Sequence, residues 1–254
     1  TIRNSGTIGA AVNAETGQAN AIVDASGGVT LIENSGAIVA KGAKADSNRN
    51  IAIDVSANTS GVTVRQTAVA ADVTAPSITG DIRFGSGNDV LDLADGSFKG
   101  NASFGAGANR MALSGDAQGA GAMTFGAGAD TVALAGSSVF SGSVDFGGGA
   151  DVLTLAGTSR FSGTLANAGA LAVNVTGGML DLQGATTIGS LNMGADGILG
   201  VTLSKTAGTG TALNVAGTAA FTKGATLRLS VTDVRNAEGR YVVLTAGQLT
   251  GADG

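Results

Sequence analysis

Four stretches of this chain are near-copies of one another: RFGSGNDVLDL (83–93), SFGAGANRMAL (103–113), TFGAGADTVAL (124–134) and DFGGGADVLTL (145–155). They align at Phe84, Phe104, Phe125 and Phe146, at offsets of 20, 21 and 21 residues. Nine residues after each Phe stands Leu93, Leu113, Leu134 or Leu155, and two before each Leu stands Leu91, Met111, Val132 or Leu153. Two residues before each Phe stands Ile82, Ala102, Met123 or Val144. Arg83, Ser103, Thr124 and Asp145 lie between in one run, and Asp92, Ala112, Ala133 and Thr154 in the other. This period-2 alternation is that of a strand with one buried and one solvated face. A unit this short cannot bury its own apolar face, but stacked copies bury one another's. The expected fold is therefore all-β, a parallel β-helix, right-handed by the general rule for parallel crossovers. About twelve turns of ~21 residues would give a rod roughly 55–60 Å long.

Each unit has room for a third strand around Phe98, Phe140 and Phe161, each followed two residues later by Gly. Gly119 takes the matching place in the second copy and interrupts that series. Toward the N-terminus IRNSGTI (2–8) recurs as IENSGAI (32–38), and AIVD (21–24) as AIDV (52–55), at longer offsets of 30 and 31. The stretch 57–81, with the lone Pro76, reads as an excursion between two sub-arrays. We therefore expect β-helix over 1–224, with irregular coils in 1–80, regular FGxGxD coils in 81–166 and degenerate coils in 167–224. Residues 225–254 read as a cap: ATLRLSVTD and RYVVLTAGQLTG flank a turn, with Arg228, Asp233, Arg235, Glu238 and Arg240 as its charges. A stack leaves an open strand edge at its end, and a charged capping hairpin is the expected remedy.

Composition supports a folded chain. There are 43 Gly and only 13% charged residues, yet mean hydropathy is +0.29. A disordered Gly-rich linker would be polar and charged instead. Net charge is −5, with Lys and Arg scattered singly, so no basic patch offers itself to nucleic-acid phosphates. No apolar run approaches the ~20 residues of a membrane helix. One Tyr (Tyr241) and no Trp argue against the aromatic girdles of a membrane barrel. Absence of Cys excludes a disulfide scaffold. The chain opens inside a repeated motif, so a piece of something longer is expected.

GSGNDVLDL resembles the calcium-binding nonapeptide repeat, G-G-x-G-x-D-x-L-x, which makes Asp89, Asp130 and Asp151 the candidate metal ligands. Calcium needs six to eight oxygens, which that family gathers from loops nine residues apart. Here the period is 20–21, Phe stands at the leading Gly, and Asn109 replaces Asp in the second copy. The preferred reading is a corner: Gly85, Gly87 and their equivalents allow positive φ, and Asp or Asn caps the turn with its own side chain.

With no His and no Cys, the Ser-His-Asp, Cys-His and His-ligated zinc arrangements are excluded within this chain. Asp89 with Asp92, or Asp92 with Asp95, are carboxylate pairs only by proximity in sequence, and Arg110 and Arg160 stand isolated. No catalytic residue and no cofactor are expected. The Phe series shares phase with Leu and Val, which makes it a core ladder rather than a stacking platform. The remaining outer face is small and weakly polar, flat enough to lie against a copy of itself.

The I-x-N-S-G-x-I turns, the FGxGxDxLxL coils, the absence of Cys and the final GRYVVLTAGQLTG together resemble the passenger domain of a bacterial autotransporter (type V secretion). That resemblance implies a right-handed β-helix exported through the outer membrane by a C-terminal membrane barrel of the same polypeptide, and an extracellular or cell-surface location. It also implies that 225–254 corresponds to the family's folding-promoting cap. The expected role is a structural stalk, open to adhesion or self-association. Two alternatives are a β-helix carbohydrate-active enzyme and a self-assembling extracellular filament.

Overall fold

The computed structural model describes residues 1–45, 47–203, 213–231 and 242–251. They form 24 strands and no helix, and the parallel sheet curls almost closed around an axis. The architecture is a parallel β-helix, as the repeat predicts. Every strand pairs in parallel with the equivalent strand one circuit away. One inward row runs Ile2, Ile32, Val64, Leu91, Met111, Val132, Leu153, Val173, Leu191, Ala219 and Leu249, each in register with the next. That is ten circuits, or about 48 Å of stack at parallel-strand spacing. The count is below twelve because circuit length varies. The first three circuits take 27–32 residues and the last two 28 and 30, against 18–21 in the middle.

Two residues along the same strands runs a second inward row: Asn4, Asn34, Gln66, then Leu93, Leu113, Leu134, Leu155, Val175, Met193 and Phe221. Its first three members are amides buried in the interior, and they satisfy one another. Asn4 Nδ2 donates to Asn34 Oδ1 at 2.8 Å, and Asn34 Nδ2 donates to Gln66 Oε1 at 3.2 Å. Gln66 Nε2 ends the column on the carbonyl of Asp95 at 3.0 Å. Asn34 Oδ1 also accepts the N–H of Gly36, which ties the N-S-G turn to its own asparagine. On the outer face of the same strands, Glu33 lies between Arg3 (2.7 Å) and Arg65 (3.6 Å).

Aromatic residues fill the regular coils. Phe84, Phe104, Phe125 and Phe146 stack with ring centroids 4.9, 4.4 and 5.9 Å apart. Each such contact adds roughly 0.5–1.5 kcal/mol to area burial. A separate row runs Ile8, Ile38, Ile78, Phe98, Gly119, Phe140, Phe161, Leu180, Leu199 and Leu227. Gly119 breaks the aromatic series as expected. A Cβ there would lie 2.9 Å from Phe140 Cδ2 and 3.1 Å from Leu113 Cδ2, so these neighbours fill the gap.

Residues 57–81 are not an excursion from the stack. Thr63–Gln66 pairs with Leu31–Asn34 on one side and Val90–Leu93 on the other, and Ser77–Thr79 is likewise paired on both sides. Only the segment between them leaves the coil. At the C-terminal end, Thr226–Val231 and Leu244–Thr250 each pair in parallel with the preceding circuit, extending the solenoid. The turn and the charges Asp233, Arg235, Glu238 and Arg240 expected there lie outside the described residues. Leu227 and Leu249, both in core rows, are 47% and 52% exposed on this last circuit.

Candidate functional site

The GxGxD corners carry the metal candidates, and the stack places Asp89, Asn109, Asp130 and Asp151 in one column, each just before an inward strand. Their backbones are in the ladder: Arg110 N–H donates to Asp89 O, Thr131 N–H to Asn109 O and Val152 N–H to Asp130 O. Their own N–H groups, turned at the corner, need another acceptor. The side chain one circuit on supplies it. Asp89 Oδ1 accepts the N–H of Val62 at 2.7 Å, and Asn109 Oδ1 that of Asp89 at 2.9 Å. Asp130 Oδ1 accepts the N–H of Asn109 at 2.7 Å, and Asp151 Oδ1 that of Asp130 at 2.9 Å. The expected cap within each turn is thus a cap across turns. A short side chain with an oxygen at γ is the requirement, and Asp and Asn both meet it.

The glycines serve the same close approach. At Gly85 and Gly87 the reason is contact between coils rather than positive φ. A Cβ at Gly85 would lie 1.7 Å from Asn58 O, and one at Gly87 2.0 Å from Gly61 N. Their equivalents Gly105 and Gly107 do have positive φ, 71° and 109°.

The column is buried, with Asp89 and Asp130 at 0% exposure and Asp151 at 2%. Desolvation pushes the Asp89 carboxyl up to about 6, against the opposing hydrogen bond from Val62 N–H. Burial also raises Asp130, helped by the charge of Asp151 and opposed by the backbone and amide of Asn109. The second oxygens of Asp89 and Asp130 have no hydrogen-bond partner. Burial thus makes the Asp89 and Asp130 carboxyls give up their protons less readily than exposed ones. Each candidate's Oδ1 faces a backbone N–H, an arrangement suited to an acceptor and not to a cation's coordination shell. Among the described residues, no three or more His, Cys, Asp or Glu side chains gather in a metal-binding group.

The carboxylates paired by sequence proximity separate in space. Asp89 points into the core, whereas Asp92 is on the outer face of its strand. Asp95 is engaged elsewhere, its Oδ2 accepting the N–H of Val69 at 3.0 Å. Arg160, isolated in sequence, pairs with Asp181 on the next circuit. Arg110 is exposed on its strand. Sequence reasoning also missed a polar recess beside a loop of the second circuit, lined by Lys41, Asn48, Asp81, Lys99 and Asn101. Its lining runs from Ala40 to Gly121, 81 positions apart, and shares no local pattern.

No protein family, curated protein or solved structure matches this chain.

Proposed function

We propose that this chain is the stalk of a surface-displayed or secreted bacterial passenger of the type V class, carried outside the outer membrane by a barrel of the same polypeptide. The observation that supports this most is one inward row that continues from Ile2 to Leu249 across ten circuits, so the described residues form a rod held by main-chain ladders between successive circuits. Such a rod transmits force and sets distance, and its role in this reading is mechanical rather than catalytic. The repeat style of the N-S-G turns and FGxGxD coils supports the type V assignment, as does the C-terminal segment.

The test is display of the native gene product with an epitope in the exposed segment 67–75. Antibody labelling of intact cells is the expected result. Duplication of residues 104–145, two circuits, should lengthen the rod by about 10 Å and leave display intact. Labelling that appears only after lysis would overturn the reading.

A further inference from the structure

The second circuit is longer than those below it because residues 42–45 and 47–49 stand outside the ladder between Ala37–Lys41 and Asn50–Asp54. Its base is closed by Asn50, whose Oδ1 accepts the N–H of Ala43 at 3.0 Å and whose Nδ2 donates to Ala43 O at 3.1 Å. Farther along, Asn48 adopts a left-handed φ of 54°, and its carbonyl accepts Arg83 Nη2 at 2.7 Å. The loop is thereby braced over the narrower third, fourth and fifth circuits.

Two adjoining recesses of about 480 and 330 Å³ lie beneath it, sharing Asn48, Asp81 and Asn101. Glycines line only the larger one. Gly80, Gly100 and Gly121 occupy the corner, and a Cβ at Gly121 would lie 1.9 Å from Gly100 O. The walls bring hydroxyls, carboxamides, the Asp81 carboxylate, the Lys41 and Lys99 ammonium groups and the Arg83 guanidinium. Lys41 and Lys99 are exposed, and their ammonium groups have no hydrogen-bond or ion-pair partner among the described residues. The register of Val39, Thr79 and Lys99 places Lys99 two circuits from Val39. With Lys41 two residues farther on, the lysine Cα atoms are about 12 Å apart by strand spacing and rise, so both side chains reach one anionic group. Asp81 commits one oxygen to the N–H of Asn101 at 2.9 Å. Asn101 in turn accepts the N–H of Ala122 at 3.0 Å and keeps its amide donors.

We propose that this corner groove binds an acidic oligosaccharide. A sugar carboxylate would sit between Lys41 and Lys99, with ring hydroxyls on Asp81, Asn101 and Asn48. The donor set favours a saccharide over a peptide side chain because the walls carry carboxamides and hydroxyls and the floor has no apolar pocket. No aromatic residue lines either recess, so binding rests on charge and hydrogen bonds and falls as salt rises.

Affinity electrophoresis of the full chain through gels containing polygalacturonate, with dextran as the neutral control, tests the assignment. The expected result is retardation by polygalacturonate alone. The affinity should fall about tenfold in Lys41→Ala/Lys99→Ala and be unchanged in Arg110→Ala. Neither lysine supports the fold through a partner, and an unchanged thermal midpoint in the double variant would confirm that it is folded. Equal retardation of native and double-variant protein, or equal retardation by dextran, would overturn the proposal. Complete release by millimolar inorganic phosphate would identify a simple anion site and overturn it as well.

Discussion

Asp130 Oδ1 accepts the backbone N–H of Asn109, a residue one circuit earlier, at 2.7 Å inside a corner that water does not reach. The bond stands where the parallel ladder turns and has no carbonyl to offer. Asn109 performs the same service for Asp89 with an amide, so the acceptor and not the charge is what the corner needs. Asp130→Asn should therefore fold with undiminished stability at pH 7.5. Its new Nδ2 falls near Gly128 O, as that of Asn109 meets Gly107 O at 3.1 Å. Asp130→Ala strands the Asn109 N–H in the interior and should cost about 1–3 kcal/mol in urea denaturation. Equal losses in the two variants would show that the charge matters instead.

The same burial makes stability depend on pH in an uncommon direction. Asp89 has a folded-state value near 6, above its ordinary 3.8, so the folded chain binds the proton more tightly than the unfolded one. Its stabilising contribution is full below about pH 4 and is lost as pH rises through 6. Asp130 is shifted the same way. Asp24 opposes them at the acid end, because hydrogen bonds from Ser26 and Val29 lower it and its contribution disappears as pH falls below 3.8. Stability should thus peak near pH 4–5 and decline by on the order of 2 kcal/mol toward pH 7.5. Urea midpoints across that range measure it, and Asp89→Asn should remove most of the decline.

Strand phase was legible in the sequence because it is local. Phe84 and Leu93 stand nine residues apart, in phase with their alternating neighbours, and the stacked rings follow from that spacing. The direction of Asp89, Asp130 and Asp151 was not legible, since carboxylates are assigned to solvent by type unless their partner is known. Those partners sit 21–27 residues away. The third circuit was obscured for a related reason. Gln66 occupies an inward position that Leu holds in later coils, and only the amides of Asn34 and the carbonyl of Asp95 explain it. The loop over Lys99 and Asp81 depends on which coils lie beneath it, a matter of circuit length rather than of motif.

The amide column also predicts an inversion of the usual single-mutant logic. Asn34→Leu leaves Asn4 Nδ2 and Gln66 Oε1 without the bonds they make to Asn34, in an apolar interior. A loss of about 2–4 kcal/mol in thermal or urea denaturation is expected for that one change. The triple replacement Asn4→Leu, Asn34→Leu and Gln66→Leu extends the existing row of Leu93, Leu113, Leu134 and Leu155. It should cost less than the sum of its parts, since no amide is left behind. Additive losses across the three positions would mean that the amide-to-amide bonds contribute little.

Two glycines in successive corners distinguish contact between coils from chain flexibility. Gly142 has a φ of 150°, and a Cβ there would lie 1.9 Å from Gly121 O, backbone that is itself fixed by the next coil. Gly148, six residues on, has no atom within 4 Å of the Cβ position. The positive φ, present at Gly142 and absent at Gly148, would by itself cost Gly142→Ala about 1–3 kcal/mol. The stack adds a clash with backbone. Gly142→Ala must separate two circuits whose spacing is set by strands on either side, so a loss above about 3 kcal/mol or failure to fold is expected. Gly148→Ala should be neutral or stabilising by up to about 1 kcal/mol through the unfolded chain. Circular dichroism with thermal melts of the two variants, prepared in parallel, measures the difference.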